Sequence, residues 1–378
     1  MSKAIKFLVA PDKFRGSLSA SQAAHAIKMG ILAVLKDAQV TEFSLTDGGD
    51  GFVDTIAHAK DGAKIIRLKT IDPTGQTLTA KCALIDDDTA LVGLTEASGI
   101  NLISEGERNP AKLTNLGTGQ ILAKLVERGY KTIIVGVGGS ATNDGGVGLL
   151  IPLGFRFLDK NGKPIIPNGE GLADLDKIEV PEGKISAKFV VATDVESPLL
   201  GKYGAAMQYA RQKGASDEEV AKLEANMKRL AHVSEKCLGK SMHDAPGAGS
   251  AGGCGYALIN FLGAKRISGF DIFAKYTNLE DHVKNSDVVI TGEGKFDEQS
   301  ANGKGPYSLA KMAMKHKKPV WIFCGSSEVP EADLEGKMKL NGVSVGEIMP
   351  LAPNIVEAKN RAPKFLTQLV KRFIAEKL

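Results

Sequence analysis

Residues 132 to 146 read TIIVGVGGSATNDGG, a β-branched run that empties into glycines, a hydroxyl, an amide and a carboxylate. Those residue types together suit an anionic ligand. Gly138, Gly139, Gly145 and Gly146 lack a Cβ, so the backbone can turn to positive φ and bring N–H groups up to phosphate oxygens. Ser140, Thr142, Asn143 and Asp144 add groups able to position a hydroxyl or a metal ion. The competing reading is a tight strand-to-helix turn with a local Asx cap, although one turn seldom needs so many glycines beside so many polar groups.

Other clusters repeat the theme. The stretch GEGKFDEQSANGKGP, residues 292 to 306, follows an apolar strand at 287–291. Its Gly292 and Gly294 offer backbone to phosphates, Glu293 and Asp297 can coordinate a cation, and Lys295 or Lys304 can neutralise developing phosphoryl charge. A solvated acidic-basic loop is the alternative. Near the N-terminus, PDKFRGS sets Asp12, Lys13, Arg15 and Ser17 between a strand at 4–10 and a helix at about 20–36. In LTDGGDGF, Asp47 and Asp50 flank Gly48 and Gly49; such carboxylates can orient Mg²⁺ or a substrate hydroxyl, or simply cap a helix. Asp194 closes an apolar strand at 189–193, and PGAGSAGGCGYAL at 246–258 serves either ligand approach or a close helix crossing.

The elements that must position these groups alternate strand and helix. Ser19 and Gln22 form a capping box before the stripe Ala23, Ile27, Ile31, Val34 and Leu35. From residue 67, RLKTIDPTGQTLTAKCALIDDDTALVGLTEA reads as short strands joined by two turns and marks the entrance to another domain. Helices follow near 114–129 and 217–236, with a strand at 319–324 and an amphipathic helix from 362 to 378. This order predicts an α/β fold: a discontinuous, Rossmann-like doubly wound domain from residues 1–66 and 287–378, with an inserted flavodoxin-like α/β domain at 67–286. The active site is expected in the cleft between them.

Composition excludes several classes. With 43% hydrophobic and 24% charged residues over 378 positions, the chain can bury a large core and is not disordered. A net charge of +4, from 48 basic and 44 acidic residues, is too small for a nucleic-acid footprint, and KHKK at 315–318 reads as the solvated end of a helix. The four cysteines lack CxxC spacing, and the N-terminal apolar run is too short for a signal peptide, so a cytoplasmic protein with reduced thiols is expected. No segment reads as a membrane span. No stripe specifies a two-fold interface, and a homodimer is compatible with a metabolic enzyme of this size.

In order along the chain, APDKFRGSLSA, LTDGGDGFVD, TEASGI, GVGGSATNDGG, ATDVESPLLG, QKGA, PGAGSAGG and VITGEGKFDEQSANGKGP resemble the type I glycerate kinase family. That ordered set is far more specific than one glycine motif. The resemblance implies ATP-dependent phosphorylation of D-glycerate to 2-phosphoglycerate, with Mg²⁺, in a two-domain α/β architecture. Its choice of C2 over C3 comes from the resemblance and not from residue spacing. The family's usual PDSFKGS is PDKFRGS here, DGGEG is DGGDG at Asp50, TDVxNPL is TDVESPL at Glu196 and Ser197, and FGPQKGA is QYARQKGA. These departures bear on substrate fit.

Given glycerate, Arg15 and Lys13 are candidates to hold the carboxylate, with Ser17, Asp47 and Asp50 beside them, and Asp194 is the candidate base for the attacking hydroxyl. A turn cap is the other reading of Asp194. Nucleotide phosphates are expected at the loops beginning at Gly138 and Gly292, with Glu293 or Asp297 near the metal. Neither a P-loop GxxxxGK[ST] nor the protein-kinase HRD and DFG groups are present. The expected mechanism is in-line transfer in a cleft that closes to exclude water. Two alternatives stay open: a kinase for a related hydroxy acid, and a nonenzymatic sensor that binds an organic acid or nucleotide without turnover.

Overall fold

The computed structural model describes residues 4–46, 48–301 and 305–377. Its strands, in chain order, are β1 (Lys6–Val9), β2 (Gln39–Glu42), β3 (Lys64–Ile71), β4 (Thr77–Leu84), β5 (Thr89–Gly93), β6 (Thr132–Gly136), β7 (Arg156–Leu158), β8 (Lys177–Glu179), β9 (Lys188–Ala192), β10 (Lys265–Ile267), β11 (Val288–Phe296), β12 (Val320–Ser327) and β13 (Val343–Glu347). They divide between two compact units, residues 1–46 with 270–378, and residues 47–269.

The first unit is built on a parallel sheet of order β13-β12-β11-β1-β2. Its central strands are continuous apolar runs because both faces are covered, as parallel sheets require. Phe7, Val9, Val288, Ile290, Trp321 and Phe323 share one core with Ile27 and Ile31 of the helix Ala20–Val34 and with Leu366, Val370 and Ile374 of the helix Ala362–Lys377. The first of these helices begins as its sequence dictates: Ser19 Oγ accepts from Gln22 N–H at 3.2 Å and Gln22 Oε1 accepts from Ser19 N–H at 2.9 Å. Strand order runs outward in both directions from β1 and β11, which creates a topological switch point where loops at the carboxyl ends diverge.

The second unit holds a mixed sheet, β10-β9-β6-β5-β4-β3. Strands β5, β6, β9 and β10 are parallel, while β3, β4 and β5 form antiparallel hairpins. Asp72 shapes the first hairpin turn, accepting from the N–H groups of Thr74 and Gln76 at 2.8 and 3.0 Å. Its core joins Leu122 and Leu125 of the helix Leu116–Glu127 to Ile133, Val135, Val191 and the helix Asp217–Leu238. A separate ribbon pairs β7 with β8.

The unit boundaries lie at 46/47 and 269/270, against the 66/67 and 286/287 read from composition. Packing explains both shifts. The helix Phe52–Ala59 lies on β3, β4 and β5, so it belongs with the sheet that follows it. At the other end, Phe273 and His282 lie against Phe43, with ring centroids 6.3 and 4.9 Å apart, and join the first unit. No helix among the described residues is long and apolar enough to cross a membrane.

Candidate active site

In the second unit the parallel register of β5, β6 and β9 brings Gly93, Gly136 and Ala192 level, so the loops that follow share one carboxyl edge. The Gly48–Gly49 segment is laid across this edge. Gly48 carbonyl accepts from Gly138 N–H at 3.0 Å. A Cβ at Gly138 would sit 2.6 Å from Gly49 Cα, and one at Gly48 2.7 Å from Ala192 O. Much of the glycine in both motifs therefore permits one backbone to lie on another. Asp50 reaches the same place: its Oδ1 accepts from Asn101 Nδ2 at 3.2 Å and would lie 3.6 Å from a Cβ on Gly139.

The rest of the glycine-rich loop is turned inward. Gly139 is exposed and Gly138 half-buried, but every residue from 141 to 150 is buried. Asp144 is wholly buried and accepts from Asn115 Nδ2 at 2.6 Å, Gly146 N–H at 2.9 Å and Asn115 N–H at 3.0 Å. Burial raises its pKa, against the lowering effect of these donors. Asn143 N–H goes to Pro110 O, and Gly145 N–H to Gly252 O. Both residues expected at a nucleotide are turned inward: the Asp144 carboxylate holds the loop's own backbone at Gly146 and Gly148, and the Asn143 amide donates to Ala205 O at 3.2 Å. Ser140, 5% exposed, accepts from the buried Lys213 Nζ at 2.6 Å.

Asp194 follows β9 and is half-buried. Its Oδ1 accepts from Gly269 N–H at 3.0 Å, the first amide of the helix Gly269–Tyr276, so the turn-capping reading and a fixed carboxylate at the sheet edge coexist. Beside it, Arg266 donates to Val195 O at 3.3 Å and to Glu196 Oε1 at 2.7 Å. Ser197 Oγ lies 2.8 Å from Tyr209 Oη. The residues that depart from the family pattern here are thus tied to neighbours within the unit.

In the first unit the Asp12–Ser17 loop leaves β1 at the switch point and lies against β11. Asp12 N–H donates to Gly292 O at 2.8 Å, and a Cβ on Gly294 would be 3.0 Å from Arg15 N. Phe14 is 2% exposed and anchors the loop, Lys13 is half-buried, and Arg15 faces solvent. Ser17 Oγ donates to Lys359 O at 3.0 Å. The stretch from Gly292 to Phe296, expected as loop, is strand: β11 continues in register with Phe323–Ser327. Gly292 and Gly294 are needed there because backbone passes so close, and both stand in a strand ladder. Glu293 is 6% exposed; Lys295 pairs with Glu328 at 2.8 Å and Asp297 at 3.7 Å, and the Glu328 hydrogen bond raises its pKa. Asp47 and Lys304 lie outside the described residues.

Among the described residues no three His, Cys, Asp or Glu side chains gather to hold a metal. Glu293, within β11, and Asp297, just after it, carry oxygen donors of the kind Mg²⁺ takes when substrate phosphates supply the other ligands. Sequence reasoning missed Asn115 and Lys213. Asn115 carried no signal beyond a place before a helix, whereas Lys213 stands in the QKGA motif and was open to notice.

The sequence pattern of the glycerate kinase family matches residues 7–377. A glycerate kinase from Halalkalibacterium halodurans is 40% identical over 323 residues, 84% of this chain and 85% of that protein. A glycerate 2-kinase from Escherichia coli K12 is 40% identical over 327 residues, 85% of each. The crystal structure of a putative glycerate kinase 2 from Salmonella typhimurium LT2 matches with a TM-score of 0.78 at 33% identity, covering 99% of this chain and 98% of that one. With its loops on two strand edges and its sequence matched from end to end, the chain belongs to the glycerate kinase family.

Proposed function

We propose that this chain is a cytoplasmic, ATP-dependent glycerate 2-kinase that phosphorylates D-glycerate at its C2 hydroxyl and releases ADP. The observation that carries this reading is the family match over nearly the whole chain, with a glycerate 2-kinase among its relatives. In this reading Arg15 and Lys13 bind the substrate carboxylate, for which a cationic fork and an ammonium are suited. Asp194, its orientation set by Gly269 N–H, accepts the hydroxyl proton. The substrate oxygen attacks the γ-phosphorus in line as the bond to the β-phosphate oxygen breaks. The Gly138–Gly139 turn and Lys295 meet phosphoryl oxygens. Mg²⁺ bound with the nucleotide supplies charge neutralisation, and Glu293 and Asp297 are the residues that would hold it.

Incubation of the purified protein with Mg-ATP and D-glycerate, followed by phosphorus and carbon NMR, tests the assignment. The expected product is 2-phosphoglycerate. Exclusive 3-phosphoglycerate would overturn the regiochemistry, and absence of any phosphoglycerate the activity. Asp194→Asn is expected to lower kcat about 10²- to 10⁴-fold, the usual contribution of a positioned base. A variant retaining more than a tenth of wild-type kcat would leave Asp194 as a helix cap.

A further inference from the structure

Under the Gly138–Gly139 turn lies a cation that the scheme above leaves unused. Lys213 is 5% exposed, and its Nζ donates to Ser140 Oγ at 2.6 Å and to Thr142 O at 2.7 Å. An ammonium is costly to bury without fixed partners, and both partners here are on one loop. Burial lowers its pKa to about 8, with Cys254 and Asp144 acting in the opposite direction.

The segment that carries Lys213 is bonded to two loops of the sheet edge. Asn143 Nδ2 donates to Ala205 O at 3.2 Å, and Tyr209 meets Ser197, three residues past Asp194. Gly214, at φ +104°, closes this segment immediately after Lys213. Beside the lysine's partners the loop offers solvent only Gly138 and Gly139, since Ser140 and the ten residues that follow it are all buried. Asp50 stands at the rim, exposed and bonded to Asn101. Solvent screens the exposed Asp50 carboxylate far more than it screens the buried Lys213, which the buried Asp144 partly balances.

We propose that Lys213 is a positioning residue that acts through Ser140 and Thr142 to hold the Gly138–Gly139 turn as the seat of an anionic substrate oxygen. The inference rests on the glycerate kinase reading, whose two substrates both bring such oxygens: the phosphoryl groups of ATP and the carboxylate of glycerate. Lys213→Met keeps much of the side chain's volume and removes its charge and donors; Ser140→Ala keeps the charge and removes one acceptor.

Steady-state kinetics at pH 7 on the wild type and both variants separate the sources. Lys213→Met is expected to raise the KM of one substrate at least tenfold while kcat stays within threefold, and Ser140→Ala to raise the same KM by about threefold. A shift confined to Mg-ATP identifies a phosphoryl seat, and one confined to D-glycerate a carboxylate seat. Both KM values within twofold of wild type would overturn the proposal, as would a fall in kcat alone that tracks loss of folded protein by circular dichroism. Should the wild type itself fail to turn over glycerate, the functional reading fails separately. Calorimetric titration of wild type and Lys213→Met with Mg-ATP and with D-glycerate then decides for Lys213: a tenfold change in one Kd supports it, and unchanged binding removes it.

Discussion

From 141 to 150 the second unit's glycine-rich loop is buried residue after residue, whereas in the first unit Arg15, Gly16 and Lys295 stand in solvent around the end of β11. Both segments combine glycines with charged and polar groups, and both follow parallel strands. They differ in where their polar atoms are directed. Asp144, Asn115, Ser140 and Lys213 bond one another and the surrounding backbone, while Lys295 pairs with Glu328 on the surface and Arg15 projects outward. One segment is held by inward bonds and the other displays its charge, so the two should respond differently to substitution, pH and salt.

Asp144→Ala strikes the inward-bonded side hardest. It strips the acceptor from Asn115, Gly146 and Gly148 and takes a balancing charge from Lys213, so a loss of about 3–5 kcal/mol in urea unfolding is expected. A loss under ~1 kcal/mol would show that the loop is not held by this network.

A second effect belongs to Lys213. Its pKa is lowered from 10.5 to about 8, chiefly by burial, so between those values the unfolded chain binds more protons and stability rises with pH. Relative to Lys213→Met, the wild type should gain stability at ~1 kcal/mol per pH unit across that window. Parallel stability profiles for the two proteins would show that the ammonium is not desolvated as its surroundings indicate.

On the charge-displaying side, Arg15→Gln should leave unfolding within ~0.5 kcal/mol of wild type, as surface substitutions do. Its KM for D-glycerate should rise about tenfold, the equivalent of one charge-assisted contact. Smallest of all is Lys295→Met, whose exposed pair with Glu328 is expected to leave the urea midpoint unmoved. Its KM for ATP should rise about two- to threefold at low ionic strength and return towards wild type at 0.5 M salt, because exposed charges are screened. An effect that persists in high salt would place Lys295 among the buried, inward-bonded groups.

Much of this organisation was legible in the chain. The capping box at Ser19 and Gln22, the helix Asp217–Leu238, the strand ending before Asp194 and the amphipathic C-terminal helix follow from local periodicity and capping chemistry, and each appears within a few residues of its expected bounds. The strand from Gly292 to Phe296 was hidden because glycines and charges interrupt its apolar run; only the ladder to Phe323–Ser327 identifies it. The placement of Gly48–Asp50 on the second unit's sheet was hidden for a similar reason, since nothing local records that Gly138 N–H would bond Gly48 O.

The sequence by itself determined the α/β alternation, the family, and the residue types available for phosphoryl transfer, because each is written in short-range pattern or in ordered motifs. Tertiary structure alone decided which of those residues stand in solvent and which face one another. Asn143 and Asp144 are as polar as Lys13 and Arg15, but distant residues tie them inward: Asn115 donates to Asp144, and Pro110 O accepts from Asn143 N–H. Such bonds form only once distant segments meet, and burial then makes them costly to leave unsatisfied.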